Sequence, residues 1–487
     1  MTKNIMIQGT MSNAGKSLIA AALCRIFTQD GYKTAPFKSQ NMALNSFITR
    51  DGLEMGRAQV VQAEAAGIEP DVRMNPILLK PTTDVGSQVI VNGKVLCSMN
   101  AMDYYRKKRE LIPVVLNAYN SLASEYDVIV IEGAGSPAEI NLKQEDIVNM
   151  GLAEMVDAPV LLTGDIDRGG VFAQLYGTIA LLEEKERTRV KGMIINKFRG
   201  DRKILEPGLN MLENLCGIPV AGVIPWMHVD IDDEDSLSGR FAGSGQVKDI
   251  DIAVIRLPRI SNFTDFSPFE QYPNVSLHYV ERTRDLHSPD LIIIPGTKST
   301  ISDLLWMREN GLEASILKAA SSGTPVFGIC GGFQMLGKKI MDPDHLESAS
   351  VEKIDGMGML DMETIFRPEK VQSQTAGIVS GAGGIFRSLN GLRFEGYEIH
   401  MGRNNDPGNV ILSNGSVYGT YIHGFFDAPE ISAEMLKALC DKKGIPFENL
   451  NASDPKSHRQ RQYNLLAETV RKDLNMDMIY RILEKKN

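Results

Sequence analysis

Phe327-Gly328-Ile329-Cys330-Gly331-Gly332-Phe333 is an apolar run that ends at a cysteine set among glycines, and a helical pattern follows through Gln334, Met335 and Leu336. The order is strand, sharp turn, helix. Gly328, Cys330 and Gly332 form a G-x-C-x-G frame, the cysteine version of a nucleophile elbow, in which small neighbours permit a strained turn that lifts the sulfur to the tip of a sheet. There the helix N-terminus favours negative charge on sulfur, and the next backbone N–H can face a developing oxyanion. The alternative is a buried structural cysteine beside a turn. Glycines on both sides and a strand on entry favour the nucleophile.

A cysteine nucleophile needs a base within hydrogen-bond reach. Of seven histidines, His423 is the best placed, because the apolar strand Val417 to Ile422 delivers it and Gly424 follows. His400 also ends a strand pattern, Gly396-Tyr397-Glu398-Ile399-His400. It is the second candidate for the base, or else a structural histidine or a substrate contact.

Working back to the N-terminus, Asn4 to Gln8 reads as a buried strand that enters Gly9-Thr10-Met11-Ser12-Asn13-Ala14-Gly15-Lys16-Ser17 and then a helix from Leu18 to about Gln29. This is a phosphate loop in its proper context, with Lys16 aimed at terminal phosphates and Ser17 at Mg²⁺. The first glycine stands one residue earlier than in the standard spacing. A strand at Thr34–Phe37 ends in Lys38-Ser39-Gln40-Asn41, and another at Val128–Ile131 ends in Glu132-Gly133-Ala134-Gly135. Glu132 thus sits where phosphate-loop enzymes place a metal-binding acid. Ala158–Thr163 runs into Gly164-Asp165-Ile166-Asp167-Arg168-Gly169-Gly170, Gly192–Ile195 into Asn196, and Val220–Ile224 closes the series. Strands alternating with helices predict a doubly wound parallel sheet with all these polar loops at one edge.

At 487 residues the chain exceeds one core. The pattern divides it into a phosphate-loop domain over 1–232, an acidic then Gly/Ser-rich linker over 233–248, a second α/β domain over 249–445 and a helical tail over 446–487. The net charge of −9 argues against a large nucleic-acid footprint. Five scattered cysteines with no CxxC pair suggest neither a disulfide framework nor a zinc site. The sequence begins directly in a strand, without a signal-peptide pattern, and has no apolar run of membrane-spanning length, so a cytoplasmic enzyme is expected.

The segments Gly-Ile-Cys330-Gly-Gly-Phe-Gln-Met-Leu-Gly and Tyr-Ile-His423-Gly resemble the class I glutamine amidotransferase domain. The Gly9–Ser17 loop together with Glu132-Gly-Ala-Gly is similar to dethiobiotin-synthetase-type ATPases. The joined architecture resembles the CobB/CobQ-type amidotransferases, and among them the cobyric acid synthase family. Matching segments include Gln40-Asn-Met-Ala-Leu-Asn-Ser46, Glu54-Met-Gly-Arg-Ala-Gln59, Asn75-Pro-Ile-Leu-Leu-Lys-Pro81, Asp165-Ile-Asp-Arg-Gly-Gly170, Asn196-Lys-Phe-Arg-Gly-Asp201 and Arg256-Leu-Pro-Arg-Ile-Ser-Asn262. The resemblance implies ATP- and glutamine-dependent amidation of the b, d, e and g carboxylates of adenosylcobyrinic acid a,c-diamide, a small corrinoid. No nucleic-acid or membrane partner is implied.

By the same resemblance, Cys330 attacks the glutamine amide, His423 moves the proton, and the N–H groups of Gly331 and Gly296 hold the oxyanion. Gly9, Thr10, Asn13, Ala14, Gly15, Lys16, Ser17 and Lys38 serve ATP, Asn196 reads the adenine, and Ser17 with Glu132 holds Mg²⁺. Gln40, Asn41, Asp146, Asp165, Asp167 and Arg168 are candidates for acyl-phosphate or substrate contacts. Class I amidotransferases place a glutamate two residues after the histidine, and here that position is Phe425, a lack shared by the cobyric acid synthase branch. The expectation is a Cys–His pair that titrates without a carboxylate. Rival readings are the a,c-diamide synthase of the same pathway, a lipid-linked peptidoglycan amidotransferase, and a ParA-like ATP-driven switch, which has no need of a Cys–His domain.

Overall fold

The computed structural model describes residues 2–82, 86–231, 247–348, 350–405, 408–447 and 455–485. The 233–248 linker falls almost wholly outside the described residues. Unbroken apolar runs bounded by glycine loops form strands buried on both faces. In the N-terminal half these are β1 (Lys3–Gly9), β2 (Thr34–Phe37), β3 (Val128–Glu132), β4 (Val160–Asp165), β5 (Val190–Phe198) and β6 (Val220–Pro225). They form a six-stranded sheet in the order β6-β5-β4-β1-β3-β2, parallel throughout. The order reverses at β1, so the crevice beyond its C-terminal end is a topological switch point. The phosphate loop stands there.

The second half repeats the plan with β7 (Ile250–Ile255), β8 (Val275–Val280), β9 (Leu291–Ile294), β10 (Val326–Ile329), β11 (Leu412–Asn414) and β12 (Val417–Thr420), in the order β8-β7-β9-β10-β12-β11. β10 delivers Cys330 and its neighbour β12 delivers His423, which explains how residues 93 positions apart meet. Two long strands, Glu363–Ile378 and Arg393–Asn404, pair antiparallel beside this sheet.

Two expected elements differ. Glu54–Ala66 reads as one helix, but Glu54–Gly56 is a short strand paired antiparallel with Ser46–Ile48, and the helix begins at Arg57. Gly56 lets the chain turn, since a Cβ there would lie 2.5 Å from the Asn41 amide. The amphipathic pattern of Arg461–Glu484 predicts one helix, but the tail forms two, Pro455–Asp473 and Met476–Leu483, broken where Asn475 caps the second. The tail packs on the first domain: Tyr463, Leu466, Ala467 and Val470 are buried in the same core as the helix Lys16–Gln29. Arg471 pairs with Asp30 at 2.9 Å.

Candidate active sites

The elbow is built as its glycines suggest. Cys330 has φ 50° and ψ −105°, a strained conformation for a residue with a side chain. A Cβ on Gly328 would lie 2.8 Å from the Gly332 backbone, and one on Gly332 only 2.0 Å from the Ile294 carbonyl oxygen. No side chain fits at either position without moving backbone. The sulfur is buried, 3.6 Å from the Ile399 carbonyl oxygen.

His423 is almost wholly enclosed, and it lines the same cavity as the Cys330 thiol, which helps to favour its charged form. Its Nδ1 lies 2.7 Å from Oδ2 of Asp265, whose Oδ1 accepts from the Gly424 N–H at 3.0 Å. This overturns the expectation of a pair without a carboxylate. Asp265 comes from the turn after β7, and Phe425 instead fills an aromatic core with Phe327 and Phe394. Burial pulls the His423 pKa down, but the Asp265 charge and hydrogen bond, with Cys330 adding to them, outweigh it and push it up to about 10. Such a Cys–His–Asp line can accept a proton from sulfur, hold it as imidazolium and pass it to a leaving nitrogen. Sequence reasoning missed Asp265 because the segment it singled out stops at Asn262. The only local signal was a carboxylate between aromatic neighbours in Phe263-Thr264-Asp265-Phe266.

His400 lines the same cavity of about 50 Å³. Its ring nitrogens are engaged elsewhere, Nδ1 with the Gly402 carbonyl at 2.8 Å and Nε2 with Glu398 at 3.1 Å, and it stacks on Tyr421. Gly296 lies under the His423 ring, where a Cβ would approach Cε1 to 2.9 Å, and Gly331 packs against Thr297. Both backbones therefore border the reacting atoms. Lys298 and Glu347, both half-buried, also line the cavity wall. Burial lowers the Lys298 pKa and raises that of Glu347 to about 7.

The second site is a cavity of about 940 Å³ at the ends of β1, β2, β3 and β4. It gathers Asn13, Gly15, Lys16, Ser17, Lys38, Gln40, Asn41, Glu132, Asp146, Asp165, Asp167 and Arg168. Lys16 folds back to donate to the Met11 and Gly135 carbonyls, at 3.0 and 3.1 Å. Gly9 lies under the Lys16 stem, and a Cβ on Gly15, where φ is +96°, would lie 2.0 Å from the Asn196 amide nitrogen. Glu132 accepts from Ser17 Oγ at 2.8 Å and Lys38 Nζ at 2.9 Å on Oε1, and from Gln59 and Gln62 on Oε2. A serine hydroxyl and a buried carboxylate in contact at the phosphate loop are hard oxygen donors suited to Mg²⁺.

The remaining candidates separate by their partners. The Asp146 carboxylate accepts three backbone N–H groups, from Val148, Asn149 and Gly151, and so holds its own turn. Asp165 is bound by Lys197 at 2.7 Å and Asp167 by Arg199 at 3.0 Å. Gln40 accepts from Tyr104 and Asn41 donates to Gln59. Thr10 donates to Gln174, away from the cavity, and Ala14 offers its carbonyl to Asn196 Nδ2 at 2.9 Å. Asn196 lines a smaller cavity of about 180 Å³ with Pro225, Trp226, Leu466 and Val470, which adjoins the larger one at Leu18, Lys197 and Trp226.

Comparison with known proteins agrees with both halves. Residues 5–236 match the CobQ/CobB/MinD/ParA nucleotide binding domain, and residues 251–431 the CobB/CobQ-like glutamine amidotransferase domain. A cobyric acid synthase of Lachnoclostridium phytofermentans is 58% identical over 100% of both chains, and one of Ruminiclostridium cellulolyticum is 58% identical over 100% of this chain and 98% of that one. The chain belongs to the cobyric acid synthase family. A member from Photorhabdus laumondii, 51% identical over 99% of this chain and 98% of its own, keeps the same full-length match. Within this family the chain is an ATP-dependent amidotransferase whose nucleotide-binding and amidotransferase units lie on one polypeptide.

Proposed function

We propose that the protein uses ATP and glutamine to amidate the b, d, e and g carboxylates of adenosylcobyrinic acid a,c-diamide, the reaction of cobalamin biosynthesis that yields adenosylcobyric acid. The observation that carries this reading is one chain holding a complete Cys330–His423–Asp265 line and a phosphate loop, with full-length likeness to cobyric acid synthases.

The Cys330 sulfur attacks the glutamine side-chain carbonyl, and the Gly296 and Gly331 N–H groups receive the oxyanion. When the C–N bond breaks, the His423 imidazolium gives its proton to the departing nitrogen, so ammonia leaves neutral. Water then hydrolyses the thioester to glutamate. Asp265 fixes the His423 tautomer and stabilises its charge.

In the larger cavity, ATP phosphorylates a substrate carboxylate, because a carboxylate anion resists attack by ammonia. Lys16 and the loop N–H groups position the phosphates. Ser17 and Glu132 would hold Mg²⁺, which would supply charge neutralisation during phosphoryl transfer. Lys38 orients Glu132 through their 2.9 Å ion pair. Asn196 and Trp226 border the cavity suited to the adenine ring. Asp165, Asp167, Arg168, Gln40 and Asn41 line the larger cavity and are the groups assigned to the substrate carboxylate, while Asp146 keeps the loop in place.

The test is product mass: each amidation of the a,c-diamide with ATP and glutamine lowers mass by about one unit, and four steps are expected. Turnover of cobyrinic acid at the a and c positions in its place would overturn the substrate assignment.

A further inference from the structure

The larger cavity holds one charge that the mechanism above leaves without a role. Among the described residues six cationic side chains line it, and five are engaged. Lys16 donates to the Met11 and Gly135 carbonyls, Lys38 pairs with Glu132, Lys143 with Glu186 at 2.6 Å and Lys197 with Asp165 at 2.7 Å, and Arg168 faces Asp165 at 3.8 Å. The sixth is Lys108, which opens the turn Lys108–Leu111 after the helix Ala101–Lys107. It is only 9% exposed, and among the described residues its ammonium has neither a hydrogen bond nor an ion-pair partner. The acids that act on it from farther off are committed elsewhere. Asp146 accepts three N–H groups of its own turn, and Glu145 pairs with Arg109 at 2.6 Å. Burial accordingly lowers the Lys108 pKa. A buried ammonium without a partner costs stability, so its place calls for an anion that arrives with a ligand.

Two kinds of anion enter this cavity during amidation, the phosphates of ATP and the carboxylates of the corrinoid. The sheet order separates them. The phosphate loop follows β1, and the pocket suited to adenine, with Asn196 and Pro225, lies toward β5 and β6. Lys108 stands on the opposite flank, toward β3 and β2. The helix before it reaches Gln40, just past β2, through the Tyr104 hydroxyl, and Asp146 follows β3. This flank also carries apolar surface. Met42, two residues after Gln40, and Leu142, in the turn Ile140–Glu145, line the cavity and are 60% and 44% exposed. A phosphate chain has no use for such surface, whereas a corrin macrocycle presents an apolar ring edged by carboxylates.

We propose that Lys108 anchors one side-chain carboxylate of the corrinoid while another is activated at the phosphate loop, with Met42 and Leu142 carrying the ring. This rests on the amidation of a corrinoid proposed above. The ammonium gives the carboxylate a charge-assisted hydrogen bond where water competes poorly. The carboxylate in turn supplies the partner that Lys108 lacks, so binding removes the cost of its burial.

The experiment is equilibrium dialysis of the full-length protein, without ATP, against the a,c-diamide and against its tetra-amidated product, read by corrin absorbance. The two ligands differ only in the four carboxylates that become amides. Lys108→Met is expected to weaken a,c-diamide binding about tenfold and product binding by less than about threefold. In turnover it should raise KM for the a,c-diamide by a similar factor and leave kcat, KM for ATP and glutaminase within about twofold. Its Tm should equal or exceed that of the wild type, because an unpaired buried charge is removed. Lys108→Arg should keep a,c-diamide binding within about threefold. An unchanged a,c-diamide Kd in Lys108→Met overturns the anchor. A rise in KM for ATP alone makes a phosphate the ligand and overturns it as well. Equal weakening of both corrinoids with a lowered Tm assigns Lys108 to the fold and also overturns it. A wild type that neither binds nor amidates the a,c-diamide overturns the amidation itself, and the carboxylate assigned to Lys108 with it.

Discussion

Asp265→Asn is the substitution with the sharpest consequence. The change keeps shape but removes the charge that holds His423 as imidazolium, and places an amide opposite Nδ1. His423 is lifted from 6.5 to about 10, a rise of about 3.5 pH units, which at about 1.4 kcal/mol per unit is on the order of 5 kcal/mol. Part of that belongs to Cys330, so the loss of Asp265 is worth a few kcal/mol, or about 10²–10³ in glutaminase rate. The assay is glutamate release beside ammonia-dependent amidation in the same preparation. Glutaminase should fall by that factor while ammonia-dependent turnover stays near wild type. The stability profile gives a second readout. A histidine whose folded pKa is raised contributes stability that is complete below about pH 6.5 and lost as pH rises through about 10, so wild-type stability declines across that window. In Asp265→Asn the two Asp265 contributions are gone and burial opposes only what Cys330 adds, so the decline should shrink markedly. A variant with glutaminase within about fivefold of wild type, or an unchanged stability slope, would refute the Asp265 assignment.

Cys330→Ala should abolish glutaminase and spare ammonia-dependent amidation, because only the nitrogen source is lost; residual glutamate release above background would disprove the nucleophile. Lys16→Ala should reduce amidation from either nitrogen source by about 10²-fold or more through loss of its phosphate clamp, measured as ADP formed per minute, and normal ammonia-dependent turnover would contradict it. His400→Asn should keep glutaminase within about tenfold, since its nitrogens face Gly402 and Glu398, whereas His423→Asn should behave like Cys330→Ala. The reverse order of effects would exchange the two histidines.

Much of this was legible because the decisive signals are local. A strand entering a glycine turn and then a helix identifies both the elbow at Cys330 and the loop at Lys16 without any knowledge of long-range contacts, and the apolar run before Glu132 places that acid at the sheet edge. Asp265 was not legible, because it lies 158 residues from His423 and reaches it only through the turn after β7. Asp146 and Asp165 look alike in sequence and both line the cavity, and only their partners tell them apart: the first binds backbone N–H groups of its own turn, the second binds Lys197. Glu54 reads as the start of an amphipathic helix, and nothing local shows that its charge is matched by a lysine 316 residues away.

The tail is held on the first domain by apolar burial. Charges such as Glu54, paired with Lys80 and Lys370, gain little net stability for the seam they occupy, because desolvation offsets their attraction. The helix Pro455–Asp473 instead buries Tyr463, Leu466 and Val470 against the helix that follows the phosphate loop. Leu466 and Val470 also line the small cavity beside Asn196 and Trp226. The tail therefore forms a wall of the proposed adenine site, so its displacement would open the nucleotide pocket.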